Sequence, residues 1–339
     1  MRQPWIHNAK SDFWWILSPP FIILLIIFLF QNQIETLQSE SNFYVWLFLI
    51  VFVDVSHVYS TLFKTYFVKK EVQSRKLLYY GLPIFSFVFC IVLFQFGSLV
   101  FWSVLALIAV FHFVRQQYGF MRLYARFEPN DFHKKIDEIA IYSATIYPML
   151  YWFCTPRNFT WFVENEFQWM GDLPNYLPII TVLYFIVIGI WLLKTVAVYL
   201  KFKEFNIPKN AVIVGTFLSW YFGIVYFNND LIFTLLNVIS HGIPYIALIY
   251  FKEIKQKSNE DLKWMFIFKN SFGVLLFLIV LFCIAFSEEF LWEILVWKEH
   301  INFADIEISS FLLMIIVPLL TMPQLTHYLL DGFIWKRKK

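Results

Sequence analysis

The chain reads as an all-α, polytopic integral membrane bundle of about ten transmembrane helices with both termini cytoplasmic. Composition is the first reason. Of the 339 residues, 60% are hydrophobic, 22% aromatic and only 15% charged, against roughly 25% charge in a soluble domain. Mean hydropathy is +0.63. These figures exclude a soluble globular enzyme, a disordered chain and a nucleic-acid-binding domain. The second reason is a series of apolar stretches that reach or approach the roughly 20 residues a helix needs to cross a bilayer. The third is the alternation of charge between the loops joining them.

The stretches lie at about 13–30, 43–63, 77–96, 98–120, 138–154, 176–200, 211–227, 231–251, 264–286 and 308–335. They must be helical, because unpaired backbone amides are too costly in lipid. The first holds Pro19 and Pro20 and is followed by no small-residue cleavage site, so it reads as a retained span rather than a signal peptide. The N-terminus, the second, fourth, sixth and eighth loops and the C-terminus hold every lysine and arginine except Arg157 and Lys298. The other side carries acids instead, among them Glu164, Glu166, Glu288, Glu289 and Glu293. Positive loops stay on the cytoplasmic side, which fixes the orientation. With no repeat and no long linker, residues 1–339 form one transmembrane domain.

Trp161, Trp169, Trp292 and Trp297 on the acidic side suit interfacial anchors. Cys90, Cys154 and Cys283 lie far apart in apolar runs and read as buried, inert thiols. Gly119, Gly242 and Gly332 suit close helix packing. His7, His133 and His300 lie in flanks or loops, where a solvated imidazole is the expectation.

The remaining histidines are costly, because ionisable residues inside spans are rare and mark functional sites. His57, His112, His241 and His327 lie in the second, fourth, eighth and tenth stretches. All four helices run from the outside inward. Each histidine precedes a basic residue (Lys64, Arg122, Lys252 or Lys336) by seven to eleven positions. At 1.5 Å per residue that spread is only about 6 Å in depth. Each also has a polar companion three or four residues away, on its own helix face. The companions are Asp54, Gln116, Asn237, Gln324 and Asp331. A metal-bound imidazole donates its other N–H to such a group. The set therefore predicts a shared metal or haem site, with no catalytic group beyond the ligands. Imidazole suits iron, copper, zinc and nickel alike.

The segments around these histidines resemble the Brp/Blh family, the membrane-integral β-carotene 15,15'-dioxygenases of bacteria and archaea. Most of the likeness lies in Pro323, Gln324, His327, Asp331, Phe333 and Lys336 of the last helix. Ala109–Phe113 around His112 is similar to the family's Ile-His-Phe helix. Asn237–Gly242 falls where the family carries a histidine pair, and Asp54–His57 where it has a Leu-Pro-His-Gly turn. This chain has one histidine in the third motif and lacks the Pro-His-Gly of the first. The resemblance implies an Fe(II) site ligated by His57, His112, His241 and His327, in the inner membrane of a bacterium.

The expected function is a membrane-embedded, histidine-ligated, iron-dependent oxygenase. Its partner is a lipophilic small molecule, a carotenoid, isoprenoid or acyl chain, entering from the lipid bilayer, with no nucleic acid involved. Two alternatives use the same histidines: a haem-binding electron-transfer protein, and a metal or proton transporter.

Overall fold

The computed structural model describes residues 3–38, 43–129, 131–168, 176–301 and 308–335, and all regular structure among them is helical. Long helices occupy the ten expected places. They are α1 (Ala9–Leu17 and Pro19–Leu29), α2 (Phe43–Phe63), α3 (Lys76–Phe94), α4 (Ser98–Tyr124), α5 (Phe132–Cys154), α6 (Leu177–Phe202), α7 (Ile207–Trp220, continued over Tyr221–Tyr226), α8 (Asp230–Lys255), α9 (Ser271–Trp297) and α10 (Ser310–Ile334). Among the described residues, seven are long and apolar enough to cross a bilayer, namely α2, α3, α4, α6, α8, α9 and α10. The chain is a multi-pass membrane protein.

The two halves of α1 would add an eighth span, but they are bent by 52°. Pro19 and Pro20 lack the N–H groups that would bond back into the first half, and they serve instead as the first residues of the second. α5 and α7 fall short in composition. α5 opens with Lys134, Lys135, Asp137 and Glu138, and α7 with Lys209 and Asn210. Side-chain caps start several helices: Asn8, Asp131, Asn206, Asn270 and Ser309 each accept from the N–H three residues on.

Asn270 moves one boundary. The expected ninth span, 264–286, begins instead at Ser271, and Lys263–Phe268 forms a separate 3₁₀ turn. The shift carries Glu288, Glu289 and Glu293 out of the expected loop and into α9, where all three are buried. Trp292 is buried as well, stacked on Trp297 at 5.6 Å, so it is not an interfacial anchor. His300 is not a solvated imidazole: its Nδ1 lies 2.9 Å from Glu293 and its ring stacks on Trp46. Cys90 is buried, but Cys154 is half-buried and Cys283 exposed on α9; apolarity of a run does not say which face meets lipid. Trp169 lies outside the described residues.

The chain divides into two compact units, Met1–Glu40 with Phe113–Pro244, and Ser41–His112 with Tyr245–Lys339. In the first, α5 and α6 run antiparallel. Tyr147 stacks on Tyr184 at 4.0 Å near one end. Near the other, the buried Asp137 receives Lys194, Lys209 (2.8 Å) and the Trp191 indole (3.0 Å). Lys209 also reaches Glu128 at 2.8 Å. Burial of a charge is tolerated when it is paired in this way. α1 lies on α7 so closely that a Cβ on Gly215 would stand 2.7 Å from Pro20. Gly119 and Gly332, expected to serve packing, face open space.

In the second unit α3 packs on α10 through Tyr79, Leu330 and Ile334. α2 packs on α9 through Trp46, Val51, Val55 and Ala285. Phe63, Phe268 and Phe277 form an aromatic cluster below them.

Candidate metal centre

Three of the four intramembrane histidines belong to the second unit. α2 is wound as a wide π-helix over Leu47–Val55, with the Ser56 hydroxyl donating to the Val51 carbonyl at 3.0 Å. It tightens to an α-helix over Ser56–Ser60, which carries His57. Such wide turns cluster at functional sites. His112 stands in α4, and His327 in α10, four residues after the helix-interior Pro323.

The side chains converge. Ring centroids are 4.7 Å apart for His112 and His327, 5.0 Å for His57 and His327, and 6.2 Å for His57 and His112. All three residues are at most 3% exposed. Asp331, one helical turn after His327, joins them: its Oδ2 is 3.7 Å from His112 Nδ1. His112, His327 and Asp331 each present a ligand atom, and these atoms lie within 4.8 Å of one another. Asp54 Oδ1 is 3.5 Å from His57 Nδ1.

A hydrogen-bonded chain holds the group. The Thr61 hydroxyl is 2.7 Å from His327 Nδ1 and 3.2 Å from the Tyr245 hydroxyl. Tyr245 in turn donates to Asp331 Oδ1 at 2.5 Å. The Tyr245 ring stands edge-on to both His57 and His327, and Tyr328 stacks on His112 at 4.6 Å.

His327 shows what this set suits. One ring nitrogen is held by Thr61. The other, Nε2, is buried and has no hydrogen-bond partner among the described residues. An unsatisfied buried nitrogen is costly, and a metal ion is the usual satisfier when the opposite nitrogen is oriented by a hydroxyl or carbonyl. Two imidazoles and a carboxylate converging on one point form a set that suits non-haem Fe(II). The residues fit a metal.

The remaining expected residues each have contacts of their own. His241 belongs to the first unit, where its ring lies flat on Phe113 at 3.5 Å and its carbonyl accepts from Gln116 Nε2 at 2.8 Å. Gln116 therefore serves the backbone of His241. Asn237 donates to the Phe233 carbonyl at 3.0 Å. Gln324 is half-buried and makes no hydrogen bond among the described residues. Asp331, expected as a polar companion of His327, presents an oxygen within 4.8 Å of ring nitrogens of His112 and His327.

One acid was missed in the sequence. Glu288 accepts from Tyr59, two residues after His57 in α2, and from the Trp292 indole (3.4 Å). The signal was its spacing from Trp292 within an apolar run, visible only once Asn270 is read as a helix start.

Comparison with known protein families, with characterised proteins and with solved structures finds no match.

Proposed function

We propose that this chain is a membrane-embedded, iron-dependent oxygenase acting on a lipophilic substrate, with His57, His112, His327 and Asp331 as its metal-holding set. One observation carries the reading: three imidazoles and a carboxylate, from three apolar helices, meet within a few ångströms, and one buried imidazole nitrogen lacks a partner. Apolar helices do not gather such groups without return, because each is costly in lipid. The chemistry that Fe(II) would supply, if held by these residues, is the activation of O₂. Thr61 fixes the tautomer and the orientation of the His327 ring. Tyr245 holds Asp331 and closes one side of the group, and Tyr328 covers His112. The similarity to the Brp/Blh family favours a carotenoid or related polyene as substrate. In this reading all ten long helices cross the bacterial inner membrane, and both termini are cytoplasmic.

The test is anaerobic reconstitution of purified protein with Fe(II), elemental analysis, and chromatography of a supplied carotenoid after exposure to air. Stoichiometric iron and oxygen-dependent cleavage are expected in the wild type, with both lost in His327→Ala. Iron retained by His327→Ala, or a Soret band in place of non-haem iron, overturns the proposal.

A further inference from the structure

In the first unit a groove of about 610 Å³ runs along an exposed, largely apolar side of α5 and α6. Its α5 wall is one helix face, with lining residues spaced three and four apart from Lys135 to Leu150. From Tyr142 to Leu150 that face rises about 12 Å, close to the roughly 15 Å of hydrocarbon in one leaflet. Ile139, Ile146 and Leu183 on its rim are exposed. The Tyr147–Tyr184 stack lines it as well.

Only one end of the groove is charged. There Arg122 lies 3.2 Å from Glu138, and the Tyr118 hydroxyl donates to the same carboxylate oxygen. Tyr118 stacks on Tyr142. Arg115 is exposed and stands on α4 seven residues, about 10 Å, deeper than Arg122. It donates to the Tyr142 hydroxyl and lies 4.8 Å from the Tyr118 ring. Both of those partners are neutral. Among the described residues Arg115 and Lys135 make no ion pair, and Glu138, the one carboxylate lining the groove, is engaged by Arg122. A guanidinium on a lipid-facing surface is costly unless an anion meets it.

We propose that this groove is a binding site for an anionic phospholipid, one acyl chain lying along α5 and α6 and the phosphate held by Arg115. The shape calls for a chain, the excess positive charge for an anion, and the bilayer supplies both in one molecule. The proposal is independent of the metal centre.

The experiment is native mass spectrometry and thermal melting of the delipidated full chain in neutral detergent. Phosphatidylglycerol and phosphatidylcholine with identical acyl chains are titrated separately. One phosphatidylglycerol per chain is expected, retained about tenfold more strongly than phosphatidylcholine, the factor a charge-assisted contact commands. Arg115→Gln should remove that preference while Arg115→Lys keeps it. Ser143→Trp, which fills the groove, should abolish retention of both lipids. Inorganic phosphate alone should leave the melting temperature unchanged. Equal retention of the two lipids by the wild type overturns the proposal, as does an unchanged preference in folded Arg115→Gln. A phosphate-induced shift equal to that from phosphatidylglycerol overturns the acyl-chain part and leaves a free-anion site. Should Arg115→Gln fail to fold, the wild-type comparison decides alone.

Discussion

Replacing Thr61 with valine tests the metal reading without touching a ligand. The two side chains have nearly the same shape, and Thr61 is buried. The substitution removes two hydrogen bonds, one to His327 Nδ1 at 2.7 Å and one to the Tyr245 hydroxyl at 3.2 Å. Each is worth about 1 kcal/mol net. Loss of both, about 2 kcal/mol, corresponds to roughly 30-fold in affinity. That falls inside the tenfold to hundredfold cost of removing a group that orients a metal-bound imidazole. Tyr245 keeps its bond to Asp331, so the rest of the chain should stay in place. The assay is anaerobic Fe(II) titration against a competing chelator, with circular dichroism as the control for folding. Thr61→Ser, which restores the hydroxyl, should recover most of the affinity. A folded Thr61→Val protein that binds Fe(II) as tightly as the wild type would refute the idea that His327 is a ligand held from behind by Thr61.

Three further outcomes are expected. Asp137→Asn leaves the buried Lys194 without its carboxylate and should destabilise the protein by about 3–5 kcal/mol. Thermal melting in detergent reads this, and Lys194→Met in the same chain should recover part of the loss. Gly273→Ala places a Cβ against the Ile267 carbonyl and the Phe268 backbone and should cost about 1–3 kcal/mol. Gly119→Ala, which faces open space in mid-helix, should cost nothing and serves as the matched control. Of single cysteines placed in a cysteine-free background, Asn158→Cys should react with a membrane-impermeant maleimide on intact cells and Ser74→Cys should not; labelling of Ser74→Cys would reverse the orientation.

The positions of the ten long helices were legible because apolar length is a one-dimensional signal, and their places follow from it. The depth of the histidines was legible for the same reason. A count to a following basic residue put His57, His112, His241 and His327 in one layer, and the three of the second unit, His57, His112 and His327, stand together. What the sequence hides is azimuth. Nothing in a helix that is apolar on all sides says which way a side chain points, so the spacing alone does not show that Asp331 presents an oxygen within 4.8 Å of ring nitrogens of His112 and His327. Cys283, expected to be buried, is exposed for the same reason. Asn270 shows a different limit. The apolar run 264–286 continues across it, and only the capping bond to Gly273 N, at 2.5 Å, reveals where the helix starts. That single shift decides whether Glu288 belongs to a loop or to the neighbourhood of Tyr59.

Charge gives the proposed centre its internal logic. A divalent ion brings two positive charges into a region of low dielectric, where an uncompensated charge is far more costly than in water. Neutral imidazoles offset none of it, however many there are. Asp331 offsets one from among the ligand atoms. The second carboxylate in place to do so is Asp54, 3.5 Å from His57 Nδ1, whose Oδ1 is buried and accepts no hydrogen bond among the described residues. Glu288 is less suited, since its oxygens are already engaged by Tyr59 and Trp292. Two carboxylates and three imidazoles balance a 2+ ion and leave a 3+ ion one charge short. In the proposed centre the same residues would therefore favour the reduced ion, the state from which an O₂-activating iron site would start.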